Sequence, residues 1–101
     1  VISGGVNIYP REVENVLLEH PGVADAAVVG LPDDDLGERV VAAVEPREPG
    51  SPVDPDDLIA FCHERIAAFK CPKEVVFVDA LPRSEAGKLD KRALGERLRP
   101  P

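Results

Sequence analysis

Two short segments carry the residues whose types and spacing could do chemistry. The first is Leu81-Pro82-Arg83-Ser84-Glu85-Ala86-Gly87-Lys88-Leu89-Asp90. It starts on a rigid proline and ends in a glycine that accepts backbone angles closed to other residues. A lysine directly after that glycine can be aimed at an anion. The layout departs from the phosphate-cradling loop Gly-x-x-x-x-Gly-Lys-Ser/Thr, because Pro82 replaces the first glycine and Leu89 the hydroxyl residue. The amide cradle and the magnesium-binding hydroxyl are both missing, which excludes that loop. The alternative for Lys88 is a solvated surface lysine, as most lysines are. The second segment is Ser3-Gly4-Gly5, flanked by Val and Ile, which reads as a tight hairpin or bent strand. Glycine suits the turn of such a hairpin.

Other reactive side chains fit no site. Cys62 and Cys71 are nine apart, with no Cys-x-x-Cys and no His at ligand spacing, so zinc is not expected. Two reduced thiols suit the cytoplasm. Asp33-Asp34-Asp35 lacks the alternating ligands and closing Glu of a calcium loop and reads as a solvated turn. No metal site is expected. His20 ends an apolar stripe and has no evident catalytic partner.

The elements that position these segments follow from length and pattern. A chain of 101 residues predicts one domain over 1–101, with a core that buries roughly two-thirds of the unfolded surface. Hydrophobic residues are 44% and charged residues 31%, the balance of a soluble globular domain. Aromatics are 4%, with no Trp or Met, so the core must be Val, Leu, Ile, Ala and three Phe. The net charge of -7 argues against nonspecific binding to nucleic acid or an anionic membrane. Basic residues nevertheless gather late: Lys70, Lys73, Arg83, Lys88, Lys91, Arg92, Arg97 and Arg99. That end suits a small polyanion, although for Arg92, Arg97 and Arg99 a solvated helix face is the preferred reading. No apolar run approaches the ~20 residues of a membrane span, no signal peptide is visible, and the first residue is Val, which hints at a piece of a longer chain.

Pro10 to His20 predicts a helix with Val13, Val16, Leu17 and His20 on one stripe, stopped by Pro21-Gly22. Val23–Val29 and Arg39–Glu45 predict strands, with Gly30 to Asp35 as the turn between them. Pro46 to Pro55 is a Pro/Gly-rich loop. Asp54 caps a second helix, with Pro55 at its first position and Leu58, Cys62, Ile66 and Phe69 as its buried stripe. Val75–Val78 predicts a short buried strand. Asp90–Leu98 predicts a last helix that packs Leu94 and Leu98 inward. The expected fold is α+β: a small three-stranded sheet with helices packed on it and an N-terminal β-hairpin.

Ser3-Gly4-Gly5-Val6-Asn7-Ile8-Tyr9-Pro10-Arg11-Glu12-Val13-Glu14 closely resembles the glycine-hairpin motif of the adenylate-forming enzymes, which include acyl-CoA synthetases, luciferases and peptide-synthetase adenylation domains. Leu81-Pro82-Arg83-Ser84-Glu85-Ala86-Gly87-Lys88 resembles their C-terminal lysine motif. Between them, His20-Pro21-Gly22-Val23, Gly30-Leu31-Pro32-Asp33, Gly37-Glu38 and Phe69-Lys70-Cys71-Pro72-Lys73 follow the family's order. The resemblance covers essentially the whole chain.

This resemblance implies the small C-terminal domain of an AMP-forming acid–CoA ligase, with a fatty acid-like substrate class. A carboxylate attacks ATP to give an acyl-adenylate and pyrophosphate, and a thiol then displaces AMP. The domain turns between the steps and shows each a different face. Lys88 would stabilise charge gathering between carboxylate and α-phosphate. Ser3, Gly4 and Gly5 would line the pantetheine tunnel, with Phe69 and Lys73 near the CoA nucleotide. For Phe69 core packing, and for Lys73 solvation, are equally open. Cys71 stands where some relatives carry Arg. ATP and CoA are the implied substrates, with Mg2+ arriving on ATP in a large N-terminal domain that this sequence lacks, as it lacks the hinge residue. The partners implied are that adenylation domain, the acid, ATP and CoA, and a lysine acetyltransferase acting at Lys88. The 101 residues alone would then have no synthetase activity. CoA is preferred to a carrier-protein thiol because no carrier domain follows Arg99-Pro100-Pro101; a free-standing, non-catalytic binding module is the remaining alternative.

Overall fold

A computed structural model describes residues 1–51 and 53–99; Pro52 of the expected loop and Pro100-Pro101 lie outside the described residues. Its spine is an antiparallel ladder of β3 (Val23–Asp33) and β4 (Gly37–Pro46), paired from Val23↔Pro46 to Asp33↔Gly37. Both strands are apolar through their middles because both faces of the sheet are covered. On one face Val28, Val40, Ala42 and Val44 meet Val13, Val16 and Leu17 of α1 (Pro10–Leu18) and Leu58 and Cys62 of α2 (Pro55–His63). On the other, Ala27, Val29, Leu31, Val41 and Ala43 meet Leu81 and Leu94, the latter from α3 (Lys91–Leu98). A register shift between Val23 and Asp25 changes the alternation, which is how Val23 and Ala26 come to share a face.

The free edge of β4 takes two further pieces. β5 (Glu74–Phe77) pairs with it in parallel from Val41↔Glu74 to Val44↔Phe77. The hairpin of β1 (Ile2–Ser3) and β2 (Val6–Asn7) joins nearer the turn, through Ser3↔Gly37. The α+β class, the packed helices and the N-terminal hairpin are as expected; the sheet counts five strands because the hairpin joins the three core strands instead of standing apart.

Local chemistry accounts for the element ends. Asp54 accepts the Asp56 N–H at 2.8 Å and Asp90 the Ala93 N–H at 3.0 Å, capping α2 and α3. His20 Nδ1 accepts the Gly22 N–H at 2.9 Å while its ring meets Phe61 edge-on, a structural use of the histidine. The expected turn at Gly30–Asp35 shrinks to Asp34–Leu36, since Gly30 to Asp33 still pair with β4 and Leu31 is buried. The Asp33 carboxylate accepts the N–H groups of Asp35 and Leu36, so that part of the triplet shapes the turn. The expected stripe of α2 fails at its end. The helix stops at His63, and a separate 3-10 turn at Ala68–Lys70 changes the phase, leaving Phe69 51% exposed rather than buried.

Candidate functional site

The segment carrying Lys88 folds as a miniature hairpin. Arg83 and Leu89 face each other as a bridge. The Ser84 N–H donates to the Lys88 carbonyl at 2.8 Å, and the Asp90 N–H to the Pro82 carbonyl at 2.8 Å. Gly87 closes the tip with a φ of +80°, a conformation that side chains resist. The Ser84 hydroxyl also accepts the Lys88 N–H, at 3.3 Å. Lys88 is exposed and makes no ion pair among the described residues.

Both ends of this loop are tied to the ladder. Upstream, the Arg83 guanidinium pairs with Asp25 and lies 3.8 Å from Glu45, two residues that oppose each other across β3 and β4. Glu45 also accepts the Leu81 N–H at 2.8 Å. Downstream, Lys91 Nζ lies 2.7 Å from Glu14 Oε2, and that same oxygen accepts the Val28 N–H at 2.8 Å. Glu14 is 5% exposed, the one buried charged residue of the described chain. Nothing local in the sequence marks it, because its partners come from β3 and α3. The late basic cluster is thus largely spent on architecture: Arg83 and Lys91 on carboxylates, Arg97 on the Ala80 carbonyl, Arg92 beside Glu96.

The glycine hairpin sits at the other end of the ladder. Gly4 and Gly5 have φ of +59° and +81°, the pair of positive angles a two-residue hairpin turn demands. The Gly4 N–H donates to the Leu36 carbonyl at 2.9 Å, fixing the hairpin to the β3–β4 turn. Ile2, Val6 and Tyr9 are exposed around it. Lys73 is anchored nearby, its N–H on the Val40 carbonyl at 2.8 Å, with its side chain in solvent. Exposed Phe69 lies next to Lys70, whose Nζ holds Glu12 at 2.7 Å just past the hairpin's exit. The fold therefore gathers Ser3, Gly4, Gly5, Phe69 and Lys73 toward one end of β4 and sets Lys88 at the other. From Gly37, the hairpin's anchor, to Glu45, the lysine loop's anchor, is eight strand residues, about 27 Å.

The remaining candidates are structural. Cys71 is buried, with Sγ 3.6 Å from the Ala67 carbonyl. Burial, and secondly the nearby Cys71, pushes the Cys62 thiol up to about 11; burial raises the Cys71 thiol too. Both are thiols, not thiolates, at neutral pH. No cluster of metal-ligating side chains occurs among the described residues. No helix there is long and apolar enough to cross a membrane. An open groove of about 360 Å³ between α3 and β3, lined by Val29, Gly30, Lys91, Arg92 and Gly95, contains none of the expected site residues.

Two anchored, solvent-facing loops thus stand on one β3–β4 ladder. A family model described as the AMP-binding enzyme C-terminal domain matches residues 12–88, and the chain belongs to that family. Among curated proteins it is 52% identical over 91 residues to indoleacetate–CoA ligase of Aromatoleum aromaticum, covering 90% of this chain and 18% of that one. It is 48% identical over 93 residues to the probable CoA ligase CCL9 of Humulus lupulus, covering 92% and 18%. Among solved structures, Mycobacterium tuberculosis fatty acyl CoA synthetase matches with a TM-score of 0.91 at 41% identity, over 97% of this chain and 19% of that one. The amide bond synthetase McbA of Marinactinospora thermotolerans matches with a TM-score of 0.91 at 42% identity, over 97% and 20%. The chain thus spans about a fifth of the length of these relatives.

Proposed function

We propose that this chain serves as the mobile C-terminal domain of an ATP-dependent, AMP-forming acid–CoA ligase. The observation that carries this is the placement of two motif loops at opposite ends of one ladder, about 27 Å apart at their anchors. One centre cannot receive both loops at once, so they suit two steps taken in turn. In the first, a carboxylate oxygen attacks the α-phosphorus of ATP and pyrophosphate leaves. Lys88 supplies a compact cation, on a long stem, to the charge that builds between the two groups. In the second, a thiol sulfur attacks the acyl carbon and AMP leaves. Ser3, Gly4 and Gly5 then flank the thiol's approach, and Phe69 and Lys73 offer a ring and a charge to the CoA nucleotide.

Relatives whose names specify indoleacetate and fatty acyl groups share this domain closely, which supports selection of the acid elsewhere in the protein. CoA is the proposed thiol, and Mg2+ would enter with ATP. Acetylation at exposed Lys88 would erase the charge that the first step uses.

The test separates the half-reactions in the full-length protein. A unit charge at about 4 Å is worth about 4 kcal/mol at an effective dielectric near 20. Lys88→Ala should therefore slow acid-dependent pyrophosphate exchange by about a hundredfold or more. Conversion of a supplied acyl-adenylate and CoA to the thioester should be unchanged. Equal losses in both assays would refute the assignment, and no ligase activity in the full-length protein across an acid panel would favour a binding module.

A further inference from the structure

The glycine hairpin is held to the sheet by a side chain as well as by backbone. Val1 and Ile8 exchange hydrogen bonds across its base, so the N–H of the next residue, Ile2, points away from β2 and toward β4. There it donates to Glu38 Oε1 at 3.0 Å. The second carboxylate oxygen lies over Gly30 of β3. A Cβ placed on Gly30 would come within 2.4 Å of Glu38 Oε2, 2.9 Å of its Cδ and 3.0 Å of Val1 Cγ1 at the hairpin's base. Gly30 has an ordinary negative φ, so its backbone does not demand glycine. The missing side chain leaves the space that the carboxylate, with the edge of Val1, fills. Two residues on different strands thus cooperate to place one acceptor under the hairpin.

We infer that Glu38 is a positioning residue for the thiol-transfer step, seated by Gly30 and acting through the Ile2 N–H. This rests on the proposed role of the hairpin in the second half-reaction. The base of the hairpin is packed into the core through buried Ile8 and half-buried Val1; toward its tip the other holds are the Ser3↔Gly37 pairing and the Gly4 N–H on Leu36. Ile2 and Val6 are exposed and supply little packing. Without the carboxylate the Ile2 N–H loses its acceptor, and the strand that leads into Ser3-Gly4-Gly5 is free to shift. The Lys88 loop is anchored elsewhere, at Glu45 on one side and through Lys91 and Glu14 at mid-ladder on the other, by contacts that do not include Glu38.

The experiment uses the full-length protein, an acid it adenylates, and the two half-reactions measured separately. Glu38→Ala should slow thioester formation from supplied acyl-adenylate and CoA about tenfold, with pyrophosphate exchange within twofold of the parent. Glu38→Gln keeps an oxygen acceptor and should restore most of the lost rate. Gly30→Ala displaces the carboxylate and should reproduce the Glu38→Ala defect, and the double variant should be no worse than either single one. Equal loss in both half-reactions, or no rescue by Gln, overturns the inference in favour of a general structural role. A hairpin variant, Gly5→Val, serves as the reference. If Gly5→Val slows thioester formation and Glu38→Ala does not, the inference fails and the hairpin's role stands. If Gly5→Val leaves thioester formation intact, the hairpin's role itself fails.

Discussion

Lys91→Met breaks the clamp between α1, β3 and α3 while keeping the length and apolar character of the side chain. β3 is an edge strand, paired only with β4, and its outer N–H groups need partners. Asp25 serves Ala26, and Glu14 serves Val28. The Glu14 side chain is 6% exposed, whereas that of Lys91 is 39% exposed. Removing one partner of a fully buried ion pair costs about 3–5 kcal/mol. The partial exposure of Lys91 and the surviving Val28 bond reduce this to about 2 kcal/mol. In a domain of this size that lowers Tm by about 10 °C. Glu14→Gln retains an acceptor for Val28 and should cost about half as much. The two losses should not add, because each removes the same attraction. Thermal and urea unfolding of the 101-residue chain, with both single variants and the double, reads all four corners of the cycle. A Lys91→Met shift below about 2 °C, or strict additivity, would show that the pair is solvated and that the reasoning is wrong. The clamp also holds the C-terminal root of the Lys88 loop, so Lys91→Met in the full-length protein should depress pyrophosphate exchange more than thioester formation.

Gly87→Ala tests whether the lysine loop needs its left-handed tip. An added Cβ meets nothing within 4 Å, so only the φ of +80° is penalised, by about 1–2 kcal/mol. Adenylation should fall several-fold and the thiol step should hold; equal rates in the parent and variant would remove Gly87 from the argument. The cysteines make a pH prediction. Burial raises the Cys62 thiol to about 11, so the native state holds this proton where the unfolded chain has lost it. Their contribution to stability is complete below the ordinary thiol pKa of about 8.5 and is lost as pH rises toward 11. Tm should decline over that window, less steeply in Cys62→Val. A thiol reagent at pH 8 should label the native protein only on unfolding; prompt native labelling would contradict the burial of both sulfurs.

Much of the fold was legible because its punctuation is chemical. Pro21-Gly22, Asp54-Pro55 and Asp90 mark helix boundaries, and the Val/Ala runs of β3 and β4 read as strands, while their cover on both faces shows only in the packing. The misjudged end of β3 has a specific cause. Gly30-Leu31-Pro32-Asp33 looks like a turn, yet Pro32 shares the register parity of Val28, whose N–H faces away from β4. On an edge strand a proline at such a position costs no ladder bond. Phe69 was misplaced because periodicity cannot foresee the break after His63. By type and spacing alone Lys88 reads as a solvated lysine and Gly4-Gly5 as an ordinary hairpin turn; only the ordered set of motifs along the chain singles them out. Their supports were not legible: Glu14, Arg83 and Glu38 act through partners from distant segments, and a single charged residue in a row of charges carries no mark of its burial.

The supports also say how two motif loops can share so small a body. Each loop is fastened to the β3–β4 ladder, and that ladder is the part of the domain with the driest core on both faces. Flexing the ladder would expose Val28, Val41 or Ala43 and cost far more than any single loop contact returns. The hairpin and Lys88, under the proposed roles, would move as one piece, and advancing either toward a shared centre would withdraw the other. Under the proposed roles, the sequence of the two half-reactions is enforced by geometry: the lysine must leave with its end of the ladder before the glycine hairpin can arrive. Side-chain tethers suit this arrangement, since Arg83, Lys91 and Glu38 fix the loops to the spine and leave Lys88, Gly4 and Gly5 in solvent.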